Sequence, residues 1–272
     1  MPSPGTEGVE RGYVIPIGGA EEKLHSQKIL TRFVELCGGA NAQIVVIPTA
    51  SELEETGDNY VRIFRDLGAS GVTSLPIEER VDAQSEEHLD ELEQASGIFI
   101  TGGNQLRLST ILGGTPVAKT MRRVNAHGTH IAGTSAGAAI MSEHMIAGGD
   151  SGATPRNGSV HLSPGLGLTN RLVIDQHFRE RDRLGRLMAA IAYNPFLIGL
   201  GLDEDTAAFI DPNGVMHIEG SGAVTIIDPS ELKYSSLHNT EPGETISMIG
   251  MRVHVLASGC TYDIQSGEAS FT

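Results

Sequence analysis

Gly133-Thr134-Ser135-Ala136-Gly137 spells G-x-S-x-G between a strand-like run, Thr129–Ala132, and a good helix start, Ala138–Met141. Strand, tight turn and helix are the context of a nucleophile elbow. The turn forces the serine into a strained backbone conformation, and the flanking glycines remove side chains that would collide there. The hydroxyl then stands at the top of a sheet, facing the N–H groups that open the next helix. A serine hydroxyl is a poor nucleophile at neutral pH, so it needs a base, and the base needs an orienting acid. His177 closes the apolar run Leu172–Gln176. Glu204 follows the run Leu197–Leu202 inside Asp203-Glu204-Asp205. A single histidine or a short acidic turn is usually solvated. At the ends of strand-like runs the two supply what Ser135 lacks.

Acyl transfer also needs donors for the tetrahedral oxyanion. The N–H of Ala136, one past the nucleophile, is the first candidate. Gly102-Gly103 ends another apolar run, and Gly103 is the candidate for the second. Arg179, Arg181, Arg183 and Arg186 crowd just after His177 in an otherwise acidic protein. A solvated helix face is the ordinary reading of such a cluster. Its position beside the proposed base makes it a candidate carboxylate site, because arginine grips a carboxylate bidentately. Asp175 and Gln176 offer partners for a guanidinium or amine.

These residues need a frame. Tyr13–Ile17, Gln43–Pro48, Val72–Pro76 and Gly97–Thr101 read as strands. They alternate with helical patterns over Glu22–Leu36, Tyr60–Leu67 and Pro116–Ala126. The alternation predicts right-handed βαβ units and a mostly parallel, doubly wound α/β sheet. In such sheets the site lies beyond the carboxyl ends of the strands, where Gly18-Gly19, Thr49, Gly102-Gly103 and Ser135 all fall. Leu172–His177 then reads as a strand and Arg183–Tyr193 as a helix. Leu197–Leu202, Thr206–Ile210, Val215–Ile218, Ala223–Ile227 and Met251–Leu256 read as strands forming an antiparallel C-terminal extension. Gly148–Gly167, rich in Gly, Ser and Pro, reads as a long loop. Residues 1–12 read as a flexible tail before a single catalytic domain over 13–272.

Thirty-four acidic against nineteen basic residues give a net charge of −15, which argues against binding a nucleic-acid backbone. The N-terminus lacks the features of a signal peptide, and no apolar run reaches the ~18 residues of a membrane span. The two cysteines, Cys37 and Cys260, form neither a metal pattern nor a disulfide framework. They read as reduced thiols of a cytoplasmic protein.

The order Ser135, His177, Glu204 departs from the Ser–acid–His order of α/β-hydrolases. It resembles the nucleophile–His–Glu arrangement of class I glutamine amidotransferase-like (flavodoxin-like) folds. Five stretches together resemble the cyanophycinases, in the serine-peptidase family that also contains aspartyl dipeptidase (peptidase E). They are Ile15–Glu21, Thr101–Leu108, Ala132–Ala139, Asp175–Phe178 with the arginines after it, and Gly199–Thr206. The resemblance runs from about Tyr13 onwards. It implies a metal-free, cofactor-free homodimeric exopeptidase that cleaves cyanophycin, a polyaspartate whose side chains carry arginine, into β-aspartyl-arginine. Ser135 is then the nucleophile, His177 the base and later the acid, and Glu204 its orienting partner. Gln105, Asp175, Gln176, Arg181, Arg183 and Arg186 match the pocket for the β-linked unit. Asn104 departs from the acidic residue common at its position. The competing readings are an aspartyl or isoaspartyl dipeptidase on the same fold and a non-catalytic amidotransferase-like scaffold.

Overall fold

Ile44-Val45-Val46-Ile47 is apolar on both faces, and a strand of that kind must be covered on both sides. In the computed structural model, which describes residues 1–5, 8–24 and 27–271, it sits inside the parallel half of a nine-stranded sheet. The first half of the chain runs β1 (Val14–Ile17), α1 (Lys28–Leu36), β2 (Gln43–Ile47), α2 (Thr56–Asp66), β3 (Gly71–Ser74) and α3 (Glu86–Gln94). It continues through β4 (Gly97–Ile100), α4 (Gln105–Leu112), α5 (Pro116–Ala126), β5 (His130–Thr134) and the short α6 (Ala136–Ala139). Strands β1, β5, β4, β2 and β3 lie side by side in that order, all parallel. Ile44 and Val46 pack with Ile29, Phe33 and Phe64 of α1 and α2. Val45 and Ile47 pack on the opposite face with Leu92, Leu108, Val117 and Met121 of α3, α4 and α5.

The second half adds β6 (His144–Gly149), β7 (Val160–Pro164), β8 (Leu172–Gln176), α7 (Leu184–Tyr193), β9 (Ile198–Leu202), β10 (Thr206–Ile210), β11 (Val215–Gly220) and β12 (Ala223–Asp228). The two-residue pair β13 (Tyr234–Ser235) and β14 (Met248–Ile249) follows, then β15 (Arg252–Ala257), β16 (Cys260–Asp263) and β17 (Glu268–Phe271). Here the expected antiparallel extension divides. Strands β10, β11, β16 and β17 extend the main sheet from β1. Strands β8, β9, β12 and β15 form a second sheet, in which β8 and β9 are parallel. Ile174 of β8, Leu202 of β9 and Ile226 of β12 join the same apolar cluster as Val45 and Ile47, and this shared core binds the two sheets together.

Two further expectations are corrected. Gly148–Gly167 is not all loop, because β7 lies within it and pairs antiparallel with β6. A bulge between Ile146 and Gly148 and the low hydrophobicity of the segment hide the strand period. The helix read over Glu22–Leu36 begins at Lys28, and its residues 25 and 26 lie outside the described residues. Glu22 instead gives its backbone N–H to Asp205 (2.9 Å) and Glu21 turns inward. Of the segment read as a tail, residues 6 and 7 lie outside the described residues. On either side of them, the Met1 ammonium lies 3.5 Å from Glu143 and Arg11 donates to Asn125 (3.0 Å).

Candidate active site

The turn after β5 leaves Ser135 at φ 53°, ψ −111°, outside the conformations L-residues favour. The strain fits an elbow, because it turns the hydroxyl out of the sheet instead of along the strand. Strand β8 lies next to β9, so Gln176 and His177 arrive beside Leu202 and the acidic turn that follows. His177 also has positive φ (46°), which swings its ring away from the line of β8. A Cβ on Gly19 would stand 2.4 Å from that ring, so the glycine after β1 makes room for the histidine.

His177 Nε2 is 2.9 Å from Ser135 Oγ, and its Nδ1 is 2.6 Å from Glu204 Oε1. The histidine is buried and Glu204 is partly open to solvent. Glu180 supports the acid by accepting the Glu204 backbone N–H (3.2 Å). Burial alone would raise the Glu180 carboxyl. The N–H groups of Glu180 and Glu204, with Arg179 beside them, outweigh it and hold the carboxyl below its ordinary range.

Gly103 and Ala136 carry the candidate oxyanion donors. Ala136 opens α6, where a backbone N–H has no intrahelical acceptor. Gly102 and Gly103 line the cavity that contains Ser135. A Cβ on Gly103 would lie 2.1 Å from the Ala50 carbonyl, and its φ of +144° independently demands glycine.

The four arginines divide into an exposed pair and a buried pair. The helix α7 starts only at Leu184, so Arg179 and Arg181 lie before it, both exposed. Arg181 presents a guanidinium with no polar contact among the described residues. Arg183 and Arg186 turn inward and are buried with Asp175. Arg186 holds both oxygens of Asp175 (2.7 and 2.5 Å), and Arg183 approaches one (3.4 Å). Arg183 also donates to the Gln176 carbonyl and to Gln176 Oε1 (3.0 Å), and that Oε1 lies 3.4 Å from Ser135 Oγ. Burial, opposed by Asp175 and reinforced by Arg186 and Arg181, lowers the Arg183 guanidinium to about 10, so it remains charged at neutral pH. Gln105 donates to the Ala147 carbonyl of β6 (3.1 Å). Asn104, the departure from the acidic residue, caps α4 by accepting the N–H groups of Leu106 and Arg107.

The sequence profile of peptidase family S51 matches residues 14–218. The chain belongs to that family. The S51 peptidase is 44% identical over 248 residues to the cyanophycinase of Trichormus variabilis (strain ATCC 29413 / PCC 7937), covering 90% of this chain and 83% of the relative. It is 42% identical over 258 residues to the cyanophycinase of Synechococcus elongatus, covering 94% and 80%. The crystal structure of a peptidase from an acI-B1 Actinobacterium shares the fold at TM-score 0.67 and 20% identity, covering 97% of this chain and 98% of that one. Among the described residues no helix is long and apolar enough to cross a membrane, and no cluster of His, Cys, Asp or Glu could hold a metal ion.

One wall of the S51 site carries residues to which the sequence reading gave no role. Glu21 is 3% exposed. It accepts hydrogen bonds from Tyr60 and from Thr134 (2.5 Å), the residue before Ser135, and lies 3.3 Å from the Lys23 ammonium. Glu21, Lys23, Tyr60 and Thr134 line a cavity of about 440 Å³ together with Ser135. The available signal was Gly18-Gly19-Ala20-Glu21 at the end of a strand. Only the pairing of β1 with β5 places Glu21 beside the elbow.

Proposed function

We propose that this S51 peptidase is a serine exopeptidase of cyanophycin that releases β-aspartyl-arginine through an acyl-enzyme. The observation that carries the reading is the continuous chain Ser135–His177–Glu204, with contacts of 2.9 and 2.6 Å, in a protein whose relatives are cyanophycinases. Ser135 Oγ attacks the scissile carbonyl as His177 Nε2 takes its proton. Glu204 holds the Nδ1 proton and stabilises the imidazolium. The N–H groups of Gly103 and Ala136 receive the oxyanion. His177 then protonates the leaving amine, and water repeats the sequence on the ester.

The substrate is zwitterionic, so its pocket needs both signs of charge. Gln105, Asp175, Gln176, Arg181, Arg183 and Arg186 are assigned to it, with divided duties. Arg181 offers an uncommitted guanidinium and Gln176 reaches the nucleophile. Asp175 offsets one of the two buried guanidiniums of Arg183 and Arg186, and Arg183 holds Gln176 in place, so the trio keeps one net positive charge. The reading includes one catalytic unit over residues 13–272 with the topology of class I glutamine amidotransferases. It also carries the homodimer implied by the resemblance and the cytoplasmic location read from the two thiols.

The test is mass spectrometry of the soluble products after incubation with insoluble cyanophycin. β-Aspartyl-arginine is expected from the wild type and not from Ser135→Ala. His177→Ala is expected to lose ~10³-fold or more in rate. No release by the wild type would move the assignment to a dipeptidase acting on short Asp-X peptides.

A further inference from the structure

Beyond the carboxyl ends of β2 and β3 lies a groove of about 420 Å³. Glu52, Glu54, Asp58 and Glu78 line it, all exposed, and none forms an ion pair among the described residues. Arg107 is the one cation among its lining residues, and it is anchored through a bond from its Nε to the Thr49 carbonyl (2.9 Å). Thr49 also lines the groove. It is 3% exposed, and its hydroxyl has no hydrogen-bond partner among the described residues. A buried hydroxyl without a partner is costly, and unpaired carboxylates gathered at one concavity repel one another. A cationic hydrogen-bond donor relieves both.

The groove adjoins the cavity that contains Ser135: Ser51 and Leu53 line both. Ser135 follows β5, and β4, β2 and β3 come next across the sheet. At roughly 4.8 Å per strand the groove begins about 10 Å from the nucleophile and reaches about 15 Å. An extended peptide covers that distance in roughly three to four residues.

We infer that this groove is an extended subsite for the guanidinium-bearing side chains of polymer units beyond those flanking the scissile bond. The inference rests on the cyanophycin reading for the identity of the polymer. Guanidinium suits the groove because it delivers several charge-assisted hydrogen bonds in a planar fork. Such a subsite strengthens the hold on long chains without touching the reacting atoms.

The experiment compares the wild type with the variant Glu52→Gln/Glu54→Gln/Asp58→Asn/Glu78→Gln. Hydrolysis is measured on soluble cyanophycin and on a dimer of β-aspartyl-arginine units, which has no units beyond those flanking the scissile bond. The variant is expected to raise KM for the polymer about tenfold, with kcat unchanged and both constants for the dimer unchanged. An unaltered polymer KM would overturn the inference. An equal rise for the dimer would also overturn it, since the effect would then be the field of the whole protein. If the wild type fails to cleave cyanophycin, the functional reading fails, and binding of a fluorescent hexa-arginine peptide decides the groove separately. Affinity weakened about tenfold in the variant would sustain the subsite, and equal affinity would refute it.

Discussion

Two buried carboxylates stand close to the Ser135–His177–Glu204 chain, and they are satisfied in different ways. Asp175 precedes Gln176 and is gripped by two guanidiniums that are themselves buried. Glu21 binds the residue before Ser135 and is satisfied by two neutral hydroxyls and a half-exposed lysine. On the Asp175 side, loss of the carboxylate strands two guanidiniums in a dry environment. On the Glu21 side water can reach the lysine and replace part of what is removed. The first arrangement fixes geometry and tolerates little change. The second leaves a wall beside Ser135 that can accept substitution.

The sharpest way to break this contrast is Asp175→Ala, expected to cost about 3–5 kcal/mol of stability by urea unfolding because it strands buried arginines. Asp175→Leu/Arg186→Met should cost less than the sum of its single variants. If Glu21→Ala cost as much as Asp175→Ala, the distinction would collapse. Glu21→Gln, which keeps an acceptor for Tyr60 and Thr134, is expected to cost about 1–3 kcal/mol.

Tyr60→Phe should cost about 1 kcal/mol at neutral pH. Burial, the Glu21 charge and their hydrogen bond push the Tyr60 hydroxyl above the tyrosine range, so the folded state holds this proton more tightly than the unfolded chain. That stabilisation is complete below about pH 10 and is lost as pH rises through the higher folded value. Tyr60→Phe should therefore flatten the alkaline loss of stability in unfolding curves taken at rising pH. Lys23→Met should have the smallest effect, within about 1 kcal/mol, because the ammonium is half exposed.

The parallel half was legible because its strands are continuous apolar runs. Gln43–Ile47, Gly97–Ile100 and Pro116–Ala126 lie within a residue of where periodicity puts them. Helix α3 escaped notice because Glu86–Gln94 is mostly acidic and only Leu92 in it is buried. Strand β7 is only five residues long and ends in Ser-Pro within a Gly- and Ser-rich segment, and its partner β6 is interrupted by the bulge. At the site, residue types singled out Ser135, His177 and Glu204, which the structure brings into one hydrogen-bonded chain. They gave no warning that Asp175, Arg183 and Arg186 would face one another.

Residue order was enough to set the chemistry open to Ser135 and the strand ends that present it. Local sterics fix an elbow at G-x-S-x-G, and unbroken apolar strands require helices on both faces. Which charges are paired inside the protein and which remain for a ligand was settled only by packing. Strand β8 pairs with β9, bringing His177 to Glu204, while α7 turns Arg183 and Arg186 onto Asp175 and leaves Arg181 in solvent. The physical reason is that an ion's partner is set by distance and burial, and both belong to the packed chain rather than to the order of its residues.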